Sequence, residues 1–220
     1  YINFRNTPSY MDKPSHGAAP METPLVSDIA FSNSVKAAQT ARGSRGLYEN
    51  SKWRSDITPD IAAFIAERTS FYLATASAEG QPYIQHRGGP KGFLRLLDAH
   101  TLAFADFTGN RQYITTGNLD ENPRAYIFLM DYATRSRVKI WGRARVSDDP
   151  ALIAKLKPEG YRAKAQQAII FDVAAFDTNC SQHIPMMFEA NDVAAALDHL
   201  KARIAELETE NAALKAASST

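Results

Sequence analysis

Between Ser70 and Val146 the chain is cut into short apolar runs, each of strand length and each bounded by turn residues. That pattern leaves little room for anything but a succession of hairpins. Phe71 to Ala76 reads as a strand, Ala78-Glu79-Gly80-Gln81 as a tight turn, and Pro82 to Arg87 as the returning strand. Phe93 to Leu97 and Thr101 to Ala105 follow, joined by Asp98-Ala99-His100, and then Ala125 to Met130 and Val138 to Val146 around Asp131 to Ser136. A seventh strand is expected at Ala168 to Val173. Seven strands at mostly hairpin spacing predict a mainly β fold, an antiparallel β-barrel with flanking helices.

The helices are signalled by caps and breakers. Thr58 suits an N-cap, Pro59 the first helical position and Asp60 the helix dipole, and Ile61, Phe64 and Ile65 share a face, giving a helix to about Arg68. Arg111 to Asp120 reads as helical and stops before Asn122-Pro123, where proline disfavours further helix. Asp149 to Leu156 and Glu159 to Gln166 read as a helical pair. Residues 1–55, punctuated by Pro8, Pro14, Pro20 and Pro24, form an irregular arm with one short helix near Ser34 to Gln39. Residues 56–190 make the barrel domain, and 191–217 a separate helix.

That last helix carries a heptad seam. Leu197, Ile204 and Asn211 occupy one core position, and Val193, Leu200, Leu207 and Leu214 the other. The pairs Arg203–Glu208 and Glu210–Lys215 are opposite in sign at the spacing that meets across a parallel dimer, and a single core Asn can fix register and a two-stranded state. The seam predicts a homodimer; the other reading is an amphipathic helix packed on its own barrel.

Charge and cysteine content narrow the function classes. The 25 basic and 24 acidic residues leave a formal charge of +1, so no global field points to nucleic acid or an anionic membrane, and any anion site must be built locally. One cysteine, Cys180, excludes a disulfide framework within the chain and a multi-cysteine zinc site. No apolar run approaches the ~20 residues that span a bilayer, and Tyr1 to Met21 lacks an apolar signal core, so a cytoplasmic protein is expected.

Three segments could carry chemistry. In Gln85-His86-Arg87-Gly88-Gly89-Pro90-Lys91-Gly92 the glycines admit close approach of a ligand, Arg87 offers a planar fork for phosphate and Lys91 a mobile point charge. A β-turn with solvated charges would read the same. Phe107-Thr108-Gly109-Asn110-Arg111-Gln112 lies where a strand hands over to a helix; free N–H groups there favour an anion, and Asn110 and Arg111 add donors. Plain helix capping is the alternative. Both loops follow strands on neighbouring hairpins and can converge on one end of a barrel. The third segment, Asn179-Cys180-Ser181-Gln182-His183, lacks the supporting residues of a catalytic thiol or a metal pair. Gln182 and His183 read as hydrogen-bond donors to a bound ring, or as structural polar residues.

Taken as an ordered set, residues 57–188 resemble the pyridoxamine 5′-phosphate oxidase-like family, the split β-barrels that bind flavin mononucleotide (FMN). The likeness rests on Phe71-Tyr72-Leu73-Ala74-Thr75 with Gly80-Gln81-Pro82, on Thr101 to Asp106 running into Asn110-Arg111-Gln112, on Asn118 to Ala125 with its Asn122-Pro123, and on Val138 to Ala144. The resemblance implies paired barrels, with FMN in a groove between two subunits. It implies that Gln85, His86, Arg87 and Gly88 line the flavin and phosphate, that Asn110, Arg111 and Gln112 hold the phosphate, and that Gln182 and His183 close over the ring. Lys91 joins them on chemistry, since Gly88 to Gly92 departs from the oxidase pattern. The Arg-Leu segment that recognises vitamin B6 in the oxidases gives way here to alanine-rich heptads, so vitamin B6 oxidation is not expected. The expected function is an FMN-dependent oxidoreductase acting on a small redox substrate; the alternative is a flavin-binding dimeric module without turnover.

Overall fold

The computed structural model describes residues 25–179 and 182–218. Cys180, Ser181 and residues 1–24 of the arm lie outside the described residues. The strands are β1 (Ser70–Ala76), β2 (Pro82–Gly88), β3 (Arg95–Asp98), β4 (Thr101–Phe107), β5 (Arg124–Asp131), β6 (Ser136–Ser147) and β7 (Ala165–Asn179). The helices are α1 (Asn33–Ala41), α2 (Arg45–Tyr48), α3 (Pro59–Ala66), α4 (Ile114–Glu121), α5 (Pro150–Leu156) and α6 (Ala190–Ser218). Every pairing is antiparallel, in the order β2-β1-β5-β6-β7-β4-β3. The sheet curls far enough for Arg87 of β2 to pair with Asp106 of β4, near opposite ends of that order. Side chains, not ladder hydrogen bonds, bridge the gap, and the result is a split β-barrel.

Period-2 alternation fills the barrel. Phe71 and Leu73 of β1, Ile127 and Leu129 of β5 and Ile140 of β6 point inward and are buried, with Phe104 and Phe171 from β4 and β7. Strand β4 is buried on both faces, because α5 lays Leu156 against Ala103, Ala105 and Ala168 on its outer side. Gly142 sits at the bulge where β6 passes β7; a Cβ there would lie 2.2 Å from the Asp172 carbonyl oxygen, so the close approach demands glycine.

On the outer face, residues 25–55 fold onto the sheet. Trp53 stacks on Trp141 at 4.8 Å, Phe31 leans on Trp53 at 5.2 Å, and Arg54 bridges to Phe176 of β7. This part of the arm holds α1, α2 and a 3-10 turn (Val26–Ile29), where one short helix was expected.

Three elements depart from the sequence reading. The helix expected from Arg111 begins only at Ile114, because Arg111 and Tyr113 both adopt left-handed φ, 61° and 54°. No helix forms over 159–166: Gly160 turns the chain at φ 70°, Tyr161 packs on Phe107 at 5.0 Å, and β7 has begun by Ala165. Strand β7 is accordingly 15 residues long instead of six. Thr58 and Pro59 do start α3 as expected, although the Thr58 hydroxyl accepts no capping bond there. No helix among the described residues is long and apolar enough to cross a membrane.

Candidate functional site

The ends of β2, β4 and β7 meet at one rim of the barrel, and the alternation of β2 decides what reaches it. Tyr83, Gln85 and Arg87 line the groove and Ile84 does not, while His86 lies against the edge of Tyr72 at 5.7 Å. Opposite β2, the loop after β4 brings Asn110, Arg111 and Gln112, and the first turn of α4 brings Thr115 and Thr116. Two adjoining cavities result. One of about 50 Å³ lies between Arg111 and Arg87; another of about 180 Å³ runs along His86, Arg87 and Gly88 towards Phe104.

A polar network lines this groove. Arg87 donates through Nη1 to Asp106 Oδ1 and through Nη2 to Thr115 Oγ1, at 3.3 Å. Thr115 donates to Gln85 Oε1 at 3.1 Å. The other Asp106 oxygen accepts from Gln167 Nε2 at 2.9 Å, and that nitrogen also lies 3.0 Å from Thr116 Oγ1. Arg87 and Asp106 each keep only 13% of their side-chain surface exposed. Arg87 is thus an internally neutralised cation, not the free phosphate fork that its sequence position suggested. Its Nε is buried and has no acceptor among the described residues.

Arg111 is different. Among the described residues it has no carboxylate partner, and it lies on the exposed wall of the groove. Its loop is held locally: Asn110 and Gln112 bond each other, and Gln166 Nε2 donates to the Tyr113 hydroxyl at 2.9 Å. Those bonds hold two non-glycine residues in the left-handed region, which costs roughly 1–2 kcal/mol per residue. Gln166 first, and Arg111 after it, stabilise the Tyr113 phenolate and hold its pKa below the ordinary tyrosine value.

The structure therefore brings together Gln85, Arg87, Asn110, Arg111 and Gln112, with His86 and Gly88 on the adjoining cavity. It does not bring in Lys91. That side chain pairs with Glu67 at 2.8 Å and lines a separate cavity of about 320 Å³ beneath the segment Met187 to Glu189. Gln182 and His183 are exposed and line none of these cavities. They follow the far end of β7, whose near end carries Gln166 and Gln167. Asp106, Thr115, Thr116 and Gln167 went unnoticed in the sequence. Gln167 left no clear signal, since it is a buried polar residue on a strand that also carries Gln166, Asp172 and Asp177.

Residues 57–180 match the family profile described as Pyridoxamine 5′-phosphate oxidase. The chain belongs to the pyridoxamine 5′-phosphate oxidase-like family. The match ends before α6 and begins after the arm. No curated protein matches the chain. Among solved structures, it is similar to HupZ from Group A Streptococcus, at 23% identity over 60% of this chain and 99% of that one, with a TM-score of 0.46. An FMN-binding protein from Syntrophomonas wolfei shares 15% identity over 67% of this chain and 95% of that one, with a TM-score of 0.42. A protein of the pyridoxinephosphate oxidase family from Clostridium acetobutylicum, related to general stress protein 26, shares 14% over 57% and 89%, with a TM-score of 0.41.

Proposed function

We propose that this family member binds FMN in the groove beside Arg111 and works as an FMN-dependent oxidoreductase on a small redox substrate. The observation that carries the reading is Arg111 itself, a cation without a carboxylate partner among the described residues, held at the groove wall by a loop with two left-handed residues. The phosphate would take its charge-assisted bonds from Arg111, with Asn110, Gln112 and the hydroxyls of Thr115 and Thr116 around it. The buried Arg87 Nε fits the same reading, since a cofactor oxygen would supply the acceptor missing among the described residues. Bound flavin supplies a ring that accepts a hydride or electrons, and the residues of this chain bind and orient it.

The two cavities, about 50 and 180 Å³, are small beside the several hundred Å³ of a site that encloses a whole cofactor. Their size supports a flavin site completed by a second copy of the barrel. Gln182 and His183, remote from Arg111 within one chain, would then approach the ring from the partner. A cytoplasmic setting fits a chain with a single cysteine. The second reading is a flavin-binding dimer without turnover, favoured by α6, which commits 29 residues to association and none to the groove.

The visible spectrum of the purified protein tests the main claim. A protein that is colourless and takes up no added FMN overturns it. Reduction of the bound flavin by NADH or NADPH, followed by reoxidation with an acceptor, separates the enzyme from the inert module.

A further inference from the structure

Helix α6 leaves the barrel and touches nothing that would explain its apolar residues. Every described residue from 185 to 218 is exposed, and Val193, Leu197, Leu200, Ile204, Leu207 and Leu214 keep 41–62% of their surface in solvent. In this structure the seam does not pack on its own barrel. A helix of 29 residues, about 44 Å long, leaves this whole apolar row in water unless something covers it. Its internal ion pairs, Lys201–Asp198 and Arg203–Glu206, are exposed i,i+3 pairs that add little.

The pattern on α6 says what covers it. The apolar stripe is confined to positions spaced alternately four and three, the narrow seam of a coiled coil and not the broader face of a helix that packs on a globular core. The β-branched Ile204 at one core position, with leucines at the other, favours two strands. Asn211 fixes the direction. In a parallel pair it meets the Asn211 of the other chain and the two amides bond each other, whereas in an antiparallel pair it would be buried against the leucine row. Arg203 and Glu208, and likewise Glu210 and Lys215, stand five residues apart on the flanks, where opposite charges meet across a parallel dimer.

We propose that α6 pairs with α6 of a second copy as a parallel, in-register, two-stranded coiled coil. The pairing does not depend on flavin binding. It delivers both barrels to the same end of the coil, through a short connection that each barrel holds down. Ile184 is buried, the Met187 amide donates to the Tyr132 carbonyl at 3.4 Å, and the Thr69 hydroxyl lies 3.2 Å from Glu189 Oε1. Two barrels so tethered meet at an effective concentration far above that of free chains.

Site-directed cross-linking of the full chain tests this even if the barrels also associate. In a Cys180→Ser background, Leu214→Cys places a thiol in the seam near the far end of the coil, and Thr209→Cys places one on its outer face. Mild oxidation should link most of the Leu214→Cys chains into dimers and leave Thr209→Cys chains largely unlinked. Adding Leu200→Lys and Ile204→Lys should abolish the Leu214→Cys link, and Asn211→Leu should let higher oligomers appear in sedimentation. Equal linking at 209 and 214, no link at 214, or a link that survives the two lysines would each overturn the proposal. An antiparallel pair gives no link at 214 and so counts against it.

Discussion

Arg87 enters the groove already committed to Asp106, whereas Arg111 reaches it with no carboxylate partner among the described residues. The two arginines should therefore answer differently to the same substitution. Arg111→Ala removes a surface cation and, on the proposed function, one or two charge-assisted bonds to phosphate, roughly 1.5–3 kcal/mol each. Fluorescence titration should show FMN affinity falling by at least about tenfold, with thermal stability within about 0.5 kcal/mol of the parent. Arg87→Ala instead leaves the Asp106 carboxylate buried beside Gln167 without its cation, and breaking a buried pair costs about 3–5 kcal/mol. Denaturant unfolding should register that loss. The double variant Arg87→Met, Asp106→Leu should recover most of the stability, because an apolar pair of similar volume is often neutral. Equal destabilisation by Arg87→Ala and Arg111→Ala would contradict the division of roles.

At the scale of elements, what the sequence made legible is what local physics determines. The β1–β2 and β5–β6 hairpins were readable because alternation and turn residues lie within a few positions of each other, and both form with the expected turns. Hairpin order pointed to one rim, and the structure places β2 and the loop after β4 there, but through Gln85 and Arg87 of the strand and not through the Gly88 to Gly92 loop that follows it. The helix over 159–166 was not, because its competitor is long-range: Ala165 to Ala168 pair with β4, and no neighbour in sequence announces that. The Arg87–Asp106 pair depends on how far the sheet curls, and the late start of α4 on left-handed residues that carry no glycine to signal them. The aromatic seat of the arm was equally hidden, since Trp53 and Trp141 are far apart in sequence. Its consequence is measurable. Burial first, and then the Asp177 charge, push the Tyr126 phenol up to about 12, and Tyr126 lies edge-on to Trp141 at 5.0 Å. A raised acid pKa means that folding favours the neutral phenol. This contribution is whole below pH 10 and is lost as pH climbs towards 12. Trp53→Ala opens that cluster. Ultraviolet titration should show one tyrosine moving back towards 10, and stability should fall by about 1 kcal/mol or more.

For the whole molecule, two exposed apolar surfaces can be tested separately for association. Helix α6 makes no contribution to the barrel core, so removing residues 190–220 should leave the fold and its unfolding midpoint nearly unchanged. The outer face of β1 and β2 is the second surface. It presents Ile84, 62% exposed, and Tyr72, 38% exposed, beside His86, on strands whose inner sides form the groove and core. Exposed β-branched and aromatic side chains on one sheet face are what a second sheet would cover. If the flavin site is completed there, association and FMN uptake must be linked: ligand that binds only the dimer pulls the dimer together, and losing the dimer lowers apparent affinity by the same free energy. In the chain truncated before α6, Ile84→Glu places a charge in that face while its side chain points away from the groove. Sedimentation should then show monomers, and FMN affinity should fall in step, with recovery as protein concentration rises. A truncated Ile84→Glu monomer that still binds FMN with undiminished affinity would place the whole cofactor within one barrel. Arg111 and the small groove would then have to suffice without a partner.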